Sequence, residues 1–297
     1  MSGPLTGVDP GGLAAVLAGG GTVGIAWELG VLIGLEAEGV TLAHAARIIG
    51  TSAGSIVGTL LGSGLPLRDS GRRLLGPNPE LPSDHAVPPA AMIAAQVSAR
   101  WSDGPLSQAV RAELGQIALS APTVPLEIWL ARMSATLGTD AWPAALVVTA
   151  VDAESGAFGT FDAGSGVPLA AAVAASCTIP GSFPPVPLDG RRWVDGGLRS
   201  TTNADLVGTA DRIVVIAPLR VEGRSRRRLE AELEPVCTVG ARVAFVLPNP
   251  AFLDSTGSNL MDPRFVAAAG AAGLSDGRRA AAEVRAVLAP PATRAAS

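Results

Sequence analysis

Three short stretches of this sequence hold residue types that do chemistry. In "LAGGGTVG", Gly19, Gly21 and Gly24 follow the spacing G-x-G-x-x-G. In "GTSAGS", Gly50, Ser52 and Gly54 spell G-x-S-x-G. In "RRWVDGGLRS", Asp195 is followed by Gly196 and Gly197. A glycine loop presents backbone N–H groups to an anionic oxygen, either the pyrophosphate of a cofactor or the oxyanion of a transition state. A serine between two glycines, at a strand-to-helix turn, is thrust out as a nucleophile; the same pattern also makes a plain tight turn. An acid followed by two glycines sits uncrowded on a sharp turn and can take a proton; Asp-Gly is equally an ordinary hairpin turn.

The rest of the sequence narrows these choices. A dinucleotide site wants an acidic residue about 20 positions beyond the loop, at the end of the second strand. The nearby carboxylates, Glu36 and Glu38, fall on the first helix instead, and none occurs from Gly39 to Arg68. A histidine-based triad of the hydrolase type needs Ser, then an acid, then His. His44 precedes Ser52, and His85 follows too closely to leave room for an acid on its own strand. All 22 basic residues are Arg, so Walker-A loops, Schiff bases and Ser-Lys dyads are excluded. The base for a reactive serine must then be something else; a carboxylate in direct contact can serve, and of the several that compete Asp195 has the most telling setting.

The elements that must position these groups read as an α/β pattern. Leu13–Ala18 is a buried-type strand, followed by a helix over Ile25–Glu38 that ends at Gly39. A second strand ends over Ala46–Gly50, and a small-residue helix covers Ser55–Leu61. Further parallel-type strands lie over Ala145–Ala150, Arg212–Ala217 and Val243–Leu247. Trp193 and Val194 are strand-like and lead into the Asp195 turn. Between about 65 and 143 the chain changes character. Helical pieces "AAMIAAQVSARW", "LSQAVRAELGQIAL" and "PLEIWLARMSATL" alternate with Pro and Gly and read as an insertion over the sheet. Trp101, Trp129 and Trp142 read as its core anchors. The insertion either forms the mouth of an apolar channel or simply packs on the core.

Composition sets the frame. The 297 residues are 48% hydrophobic and 16% charged, enough for a large core, with a net charge of −4 that favours no nucleic-acid partner. Cys177 and Cys237 read as two reduced, mostly buried thiols, and with two histidines they make no zinc cluster. No stretch reads as a signal peptide or a membrane span, so a cytoplasmic protein is expected, with room for peripheral contact at a membrane. In "RSRRRLEAELE", Arg226 faces Glu230 and Arg228 faces Glu232, the pattern of a solvated helix; contact with anionic headgroups is the other reading. Residues 1–12 read as a flexible lead-in, 13–289 as a single domain, and 290–297 as a disordered tail.

Taken together, a glycine loop after the first strand, then G-x-S-x-G, then a distant D-G-G, resembles the patatin-like phospholipase family. "GGGTVGIAWELGVLIGLEAEGV" and "AAAVAASCTIPGSFPPV" before "WVDGGL" extend the resemblance from about Leu13 to Ile216, with a weaker echo in "GSNLMDPRF". The resemblance implies a three-layer α/β/α sandwich with a mainly parallel central sheet. It implies a Ser-Asp dyad of Ser52 and Asp195 that cleaves lipid or other acyl esters. The glycine loop then acts as an oxyanion hole, with Gly20 and Gly21 donating and Gly19 permitting the turn. It implies no cofactor and no metal. Two departures stand out. Val23 occupies a position where family members usually carry Arg or Lys, and "TTNAD" follows the aspartate turn where a proline is commoner. The Val23 change leaves open a retired family member that binds lipid or serves as a scaffold. A dinucleotide-binding oxidoreductase is the more distant alternative.

Overall fold

Short runs such as LAAVL, RIIG, LVVTAVD, RIVVI and RVAFV are apolar at both odd and even positions. Such runs need cover on both faces. The computed structural model describes residues 12–75, 106–219, 223–256 and 260–289 and provides that cover. Among the described residues these runs join one mixed, eight-stranded sheet. The parallel part comprises β1 (Leu13–Leu17), β2 (Arg47–Gly50), β3 (Leu146–Asp152), β7 (Arg212–Ile216) and β8 (Arg242–Val246). An antiparallel arm adds β4 (Phe158–Phe161), β5 (Val186–Leu188) and β6 (Arg191–Asp195). Hydrogen-bonded neighbours follow the path β5-β6-β3-β2-β1-β7-β8, with β4 also bonded to β3.

Helices lie on both faces, so the three-layer expectation holds. One face packs under α1 (Gly21–Ala37), α2 (Ala53–Gly62), α5 (Leu126–Leu137), α6 (Leu169–Ser176) and α9 (Val266–Leu288). The opposite face is closed by α7 (Arg224–Thr238), through Leu229 and Leu233, and by a turn at Ala204–Val207. The remaining helices are α3 (Leu67–Leu75), α4 (Gln108–Ser120) and α8 (Pro250–Thr256). The α1–α9 contact is unusually close because glycines line it. A Cβ on Gly273 would sit 2.0 Å from the Trp27 carbonyl oxygen. Trp27 Nε1 donates to Asp276 Oδ2 at 2.9 Å within this seam.

Several sequence expectations shift by a residue or two, as helix and strand ends usually do. One shift matters: α1 begins inside the glycine loop at Gly21, earlier than its apolar periodicity suggests. Glycines carry no hydrophobic signal, so the first helical turn was invisible to periodicity. The long helix α9, rich in Ala and Gly, was likewise unread. In the insertion, Trp129 is buried and stacks on Phe183 with centroids 4.0 Å apart, and Trp142 donates to the Val167 carbonyl at 2.8 Å. Both are core anchors, as expected. The helix expected over 90–101, Trp101, His85, the lead-in over 1–11 and the tail over 290–297 lie outside the described residues. The thiol expectation is half right: Cys177 is buried, but Cys237, near the end of α7, is exposed. Among the described residues, no helix is long and apolar enough to cross a membrane.

Candidate active site

The sheet topology explains why two distant segments meet. β4 takes one edge of β3, pairing Phe161 with Val148 and Gly159 with Ala150. The other edge is shared by two strands. β2 runs parallel to β3 and places Gly50 opposite Val148. β6 comes from the opposite direction and places Asp195 opposite Ala150. The strand ends that carry G-x-S-x-G and D-G-G therefore point at each other along one edge.

Beyond Gly50 the chain turns sharply into α2. Ser52 has φ 51° and ψ −118°, a left-handed conformation that costs a non-glycine residue about 1–3 kcal/mol. The flanking glycine makes this turn possible by close packing. Gly54 N–H donates to the Ala18 carbonyl at 3.0 Å, and a Cβ on Gly54 would lie 2.0 Å from the Leu17 carbonyl oxygen. The strained residue is held at both ends. Its N–H donates to Ser176 Oγ at 2.9 Å, and its carbonyl accepts from Ser55 Oγ at 2.6 Å. Ser52 stands at the N-terminus of α2, where the helix dipole favours developing negative charge.

Asp195 ends β6 and caps the short turn that follows. Its Oδ1 accepts from the Gly197 N–H at 2.7 Å. Gly196 has to be glycine, because a Cβ there would meet Thr149 Oγ1 at 2.2 Å. The carboxyl is buried, and burial pushes its pKa up to about 6; hydrogen bonds from the Gly197 amide and the Ser52 side chain pull the other way. Ser52 and Asp195 are thus within each other's reach. The buried Cys177 thiol lies beside both, and burial together with the Asp195 charge pushes its pKa up. It stays a neutral neighbour.

The glycine loop completes the group. Gly19 abuts the serine: a Cβ on it would be 3.5 Å from Ser52 Cβ. Gly19 N–H is spent on the Thr201 carbonyl at 2.8 Å, which leaves it a turn residue. Gly20 N–H and Gly21 N–H donate to no other described group. Gly21 has φ +60°, and a Cβ there would lie 2.7 Å from the Leu260 carbonyl oxygen. The site thus holds a hydroxyl, a carboxyl and two amides with no partner among the described residues. Such a set can carry acyl transfer.

The other sequence candidates fall away from it. His44 is exposed in the turn before β2, and Glu36 and Glu38 are exposed at the far end of α1. Val23 is buried in the core cluster beneath the loop, with its N–H on the Leu260 carbonyl at 3.0 Å.

A family model described as patatin-like phospholipase matches residues 15–207, well over half of the sequence. The chain belongs to the patatin-like phospholipase family. That membership supports a hydrolase acting on lipid, and the matched span holds the glycine loop, Ser52 and Asp195. Among solved structures, the chain is similar to VipD from Legionella pneumophila, at 12% identity and TM-score 0.49, over 94% of this chain and 68% of that one. It is also similar to the type III effector ExoU, at 19% identity and TM-score 0.41, over 94% of this chain and 53% of that one. A third match is full-length ExoU in complex with SpcU from the type III secretion system of Pseudomonas aeruginosa, at 20% identity and TM-score 0.34. It covers 91% of this chain and 53% of that one, so this chain spans only about half of either ExoU chain. A comparison with curated proteins found no match.

Four polar side chains at this patatin-like site were not singled out from sequence: Ser176, Thr51, Thr149 and Asn203. Ser176 sits in "AASCTIPGSFPPV", the segment that carries the resemblance, so a signal was present. Thr51 lies within the elbow motif itself. For Thr149, on a strand read only as apolar, no local signal exists.

Proposed function

We propose that the protein is a serine acyl hydrolase that cleaves lipid carboxylic esters through Ser52 and Asp195. What supports the reading is that the strand ends carrying Ser52 and Asp195 meet at one edge of β3, beside a glycine loop with two amides that have no partner among the described residues. In the first half-reaction, Ser52 Oγ attacks the ester carbonyl carbon and its proton passes to the Asp195 carboxylate. The tetrahedral oxyanion is held by Gly20 N–H and Gly21 N–H, where one such donor is worth about 3 kcal/mol. Collapse breaks the carbon–oxygen bond of the ester. The leaving alkoxide takes the proton from Asp195, and the acyl group remains on Ser52. In the second half, Asp195 takes a proton from water, the water oxygen attacks the acyl-enzyme, and the carboxylic acid departs while Ser52 regains its proton.

The raised pKa of Asp195 supports this role. An ordinary aspartate, near pKa ~3.9, is a weak base. One pushed up to about 6 is a stronger base and is still ionised at neutral pH. The substrates proposed are acyl esters of the phospholipase A, lysophospholipase or simple esterase type. Peripheral contact with a membrane goes with a lipid substrate.

A catalytically retired, lipid-binding or scaffolding protein is the second reading, and buried Val23 in place of a basic side chain favours it. Labelling with a fluorophosphonate separates the two. Wild type reacts and Ser52→Ala does not if the serine is live. Turnover of a p-nitrophenyl acyl ester that persists undiminished in Ser52→Ala would end the hydrolase proposal.

A further inference from the structure

The segment after the aspartate turn, "RSTTNAD", touches every part of the site. Thr201 accepts from the Gly19 N–H in the glycine loop at 2.8 Å. Ser200 N–H reaches back to the Gly196 carbonyl at 3.4 Å. Asn203, which has no solvent exposure, sends its carboxamide into the space between the two strand ends. Its Nδ2 donates to the Ser200 carbonyl at 2.7 Å and to Thr51 Oγ1 at 3.0 Å. It stands 3.4 Å from both Thr149 Oγ1 and the Gly196 carbonyl.

The orientation of this amide is fixed by chemistry. Asn203 Oδ1 accepts from Arg199 Nη1 at 2.8 Å. A guanidinium has only donors, so the oxygen must face it and the NH2 must face the elbow. Arg199 is fixed in turn by a paired contact to Asp205, at 2.9 and 2.5 Å, and by stacking 4.3 Å over the Phe158 ring. The segment is clamped from the other face of the sheet as well. Glu232 of α7 accepts from Thr202 Oγ1 at 2.6 Å and from Ala204 N–H at 3.0 Å. Asn203 has φ 46° and ψ 38°, a left-handed conformation that Asn, Asp and Gly tolerate best.

We infer that Asn203 is a positioning residue. Its carboxamide ties Thr51, next to Ser52, to Gly196, next to Asp195, and so sets the separation of nucleophile and base. β2 and β6 meet end to end, each laddered to β3 and not to the other, so β3 sets their approach and the Asn203 carboxamide adds a direct polar link across the gap. Proton transfer from hydroxyl to carboxylate is sensitive to that gap. Because it deepens the Ser52–Asp195 reading, the inference rests on it.

The test compares wild type with Asn203→Gly and Asn203→Asp. Glycine keeps the left-handed backbone and deletes the carboxamide. Aspartate keeps the size and replaces the donor NH2 with oxygen. Fluorophosphonate labelling rates, and kcat and KM for a p-nitrophenyl ester, are measured well below each protein's own Tm. Both variants are expected to lose at least about tenfold in kcat and in labelling rate, with KM changed by less than about twofold. A side chain that merely holds the fold would lower Tm and leave kcat intact. A kcat for a folded Asn203→Gly or Asn203→Asp within about twofold of wild type therefore overturns the inference. If neither variant folds, Thr149→Val removes the hydroxyl that completes the same bridge, 3.0 Å from Thr51 Oγ1, and is judged by the same criterion. Wild type that fails to label at Ser52 overturns the dyad reading and this inference with it. Wild type and variants that label equally overturn this inference alone.

Discussion

Ser52 and Ser176 are joined by a 2.9 Å hydrogen bond across 124 residues, from the backbone N–H of the first to the side-chain oxygen of the second. The bond pins the strained end of the elbow to the C-terminal end of α6. Removing the hydroxyl in Ser176→Ala leaves a buried N–H without an acceptor, which costs about 1–3 kcal/mol. Urea unfolding should show that loss. Ester turnover should fall more steeply in kcat than in KM, because the hydroxyl holds the backbone of the attacking serine. A variant as stable and as active as wild type would mean that the bond does not hold the elbow.

Ser52 itself is expected to trade stability for activity. Its φ of 51° suits glycine far better than serine. Ser52→Gly should therefore unfold at higher urea, by about 1 kcal/mol, while losing all fluorophosphonate labelling. Ser52→Ala keeps the strain and should gain little. If Ser52→Gly is less stable than Ser52→Ala, the turn is not strained in the way the backbone angles indicate.

Much of this site was legible because its key parts are local motifs. A glycine loop, a serine elbow and an acid turn each announce a special backbone conformation through Gly, and Gly21, Ser52 and Gly54 meet those demands. The parallel strands were legible because strands covered on both faces are apolar throughout. What stayed hidden is what depends on convergence. Nothing near Asn203 tells that its amide reaches Thr51, since the two lie 152 residues apart in the sequence. The antiparallel β4 and β5 are too short for a periodicity, and β5 has an exposed proline between two buried residues. Arg228 and Glu232 do pair as their spacing suggests, yet Glu232 also turns inward to hold Thr202, which spacing alone does not reveal.

The glycine loop separates steric demand from function. A Cβ on Gly19 would meet Ser52 Cβ and Thr201 Cγ2 at 3.5 Å, ordinary contact distances. Gly19→Ala should fold with near-normal Tm and lose esterase activity, since the new methyl stands against the attacking serine. Gly21→Ala meets both a φ of +60° and the Leu260 carbonyl oxygen at 2.7 Å. It should be destabilised by about 1–3 kcal/mol, with activity lost as the loop shifts. Thermal melts of the two variants beside their kcat values check the contrast. Equal Tm losses would show that the loop is packed differently from what these distances describe.

Asp195 ties activity and stability to the same proton. With its pKa pushed up to about 6 in the free protein, kcat/KM should fall as pH drops through about 6 and level off above it. Stability should run the other way. The unfolded chain releases this proton near ~3.9, while the folded protein holds it to about 6. Between those values the unfolded state binds fewer protons, so the aspartate lowers stability as pH rises, by about 3 kcal/mol once both states are ionised. Asparagine at this position keeps an acceptor for the Gly197 N–H but carries no ionisable group. Asp195→Asn should therefore be inactive at every pH, close to wild type in stability at pH ~4, and more stable at pH ~8 by up to that amount. Denaturant unfolding of both proteins across this range measures the gap directly. A gap that does not widen between pH ~4 and ~6 would contradict the burial of an ionisable base at Asp195. Turnover by Asp195→Asn at the wild-type rate would remove Asp195 from the mechanism.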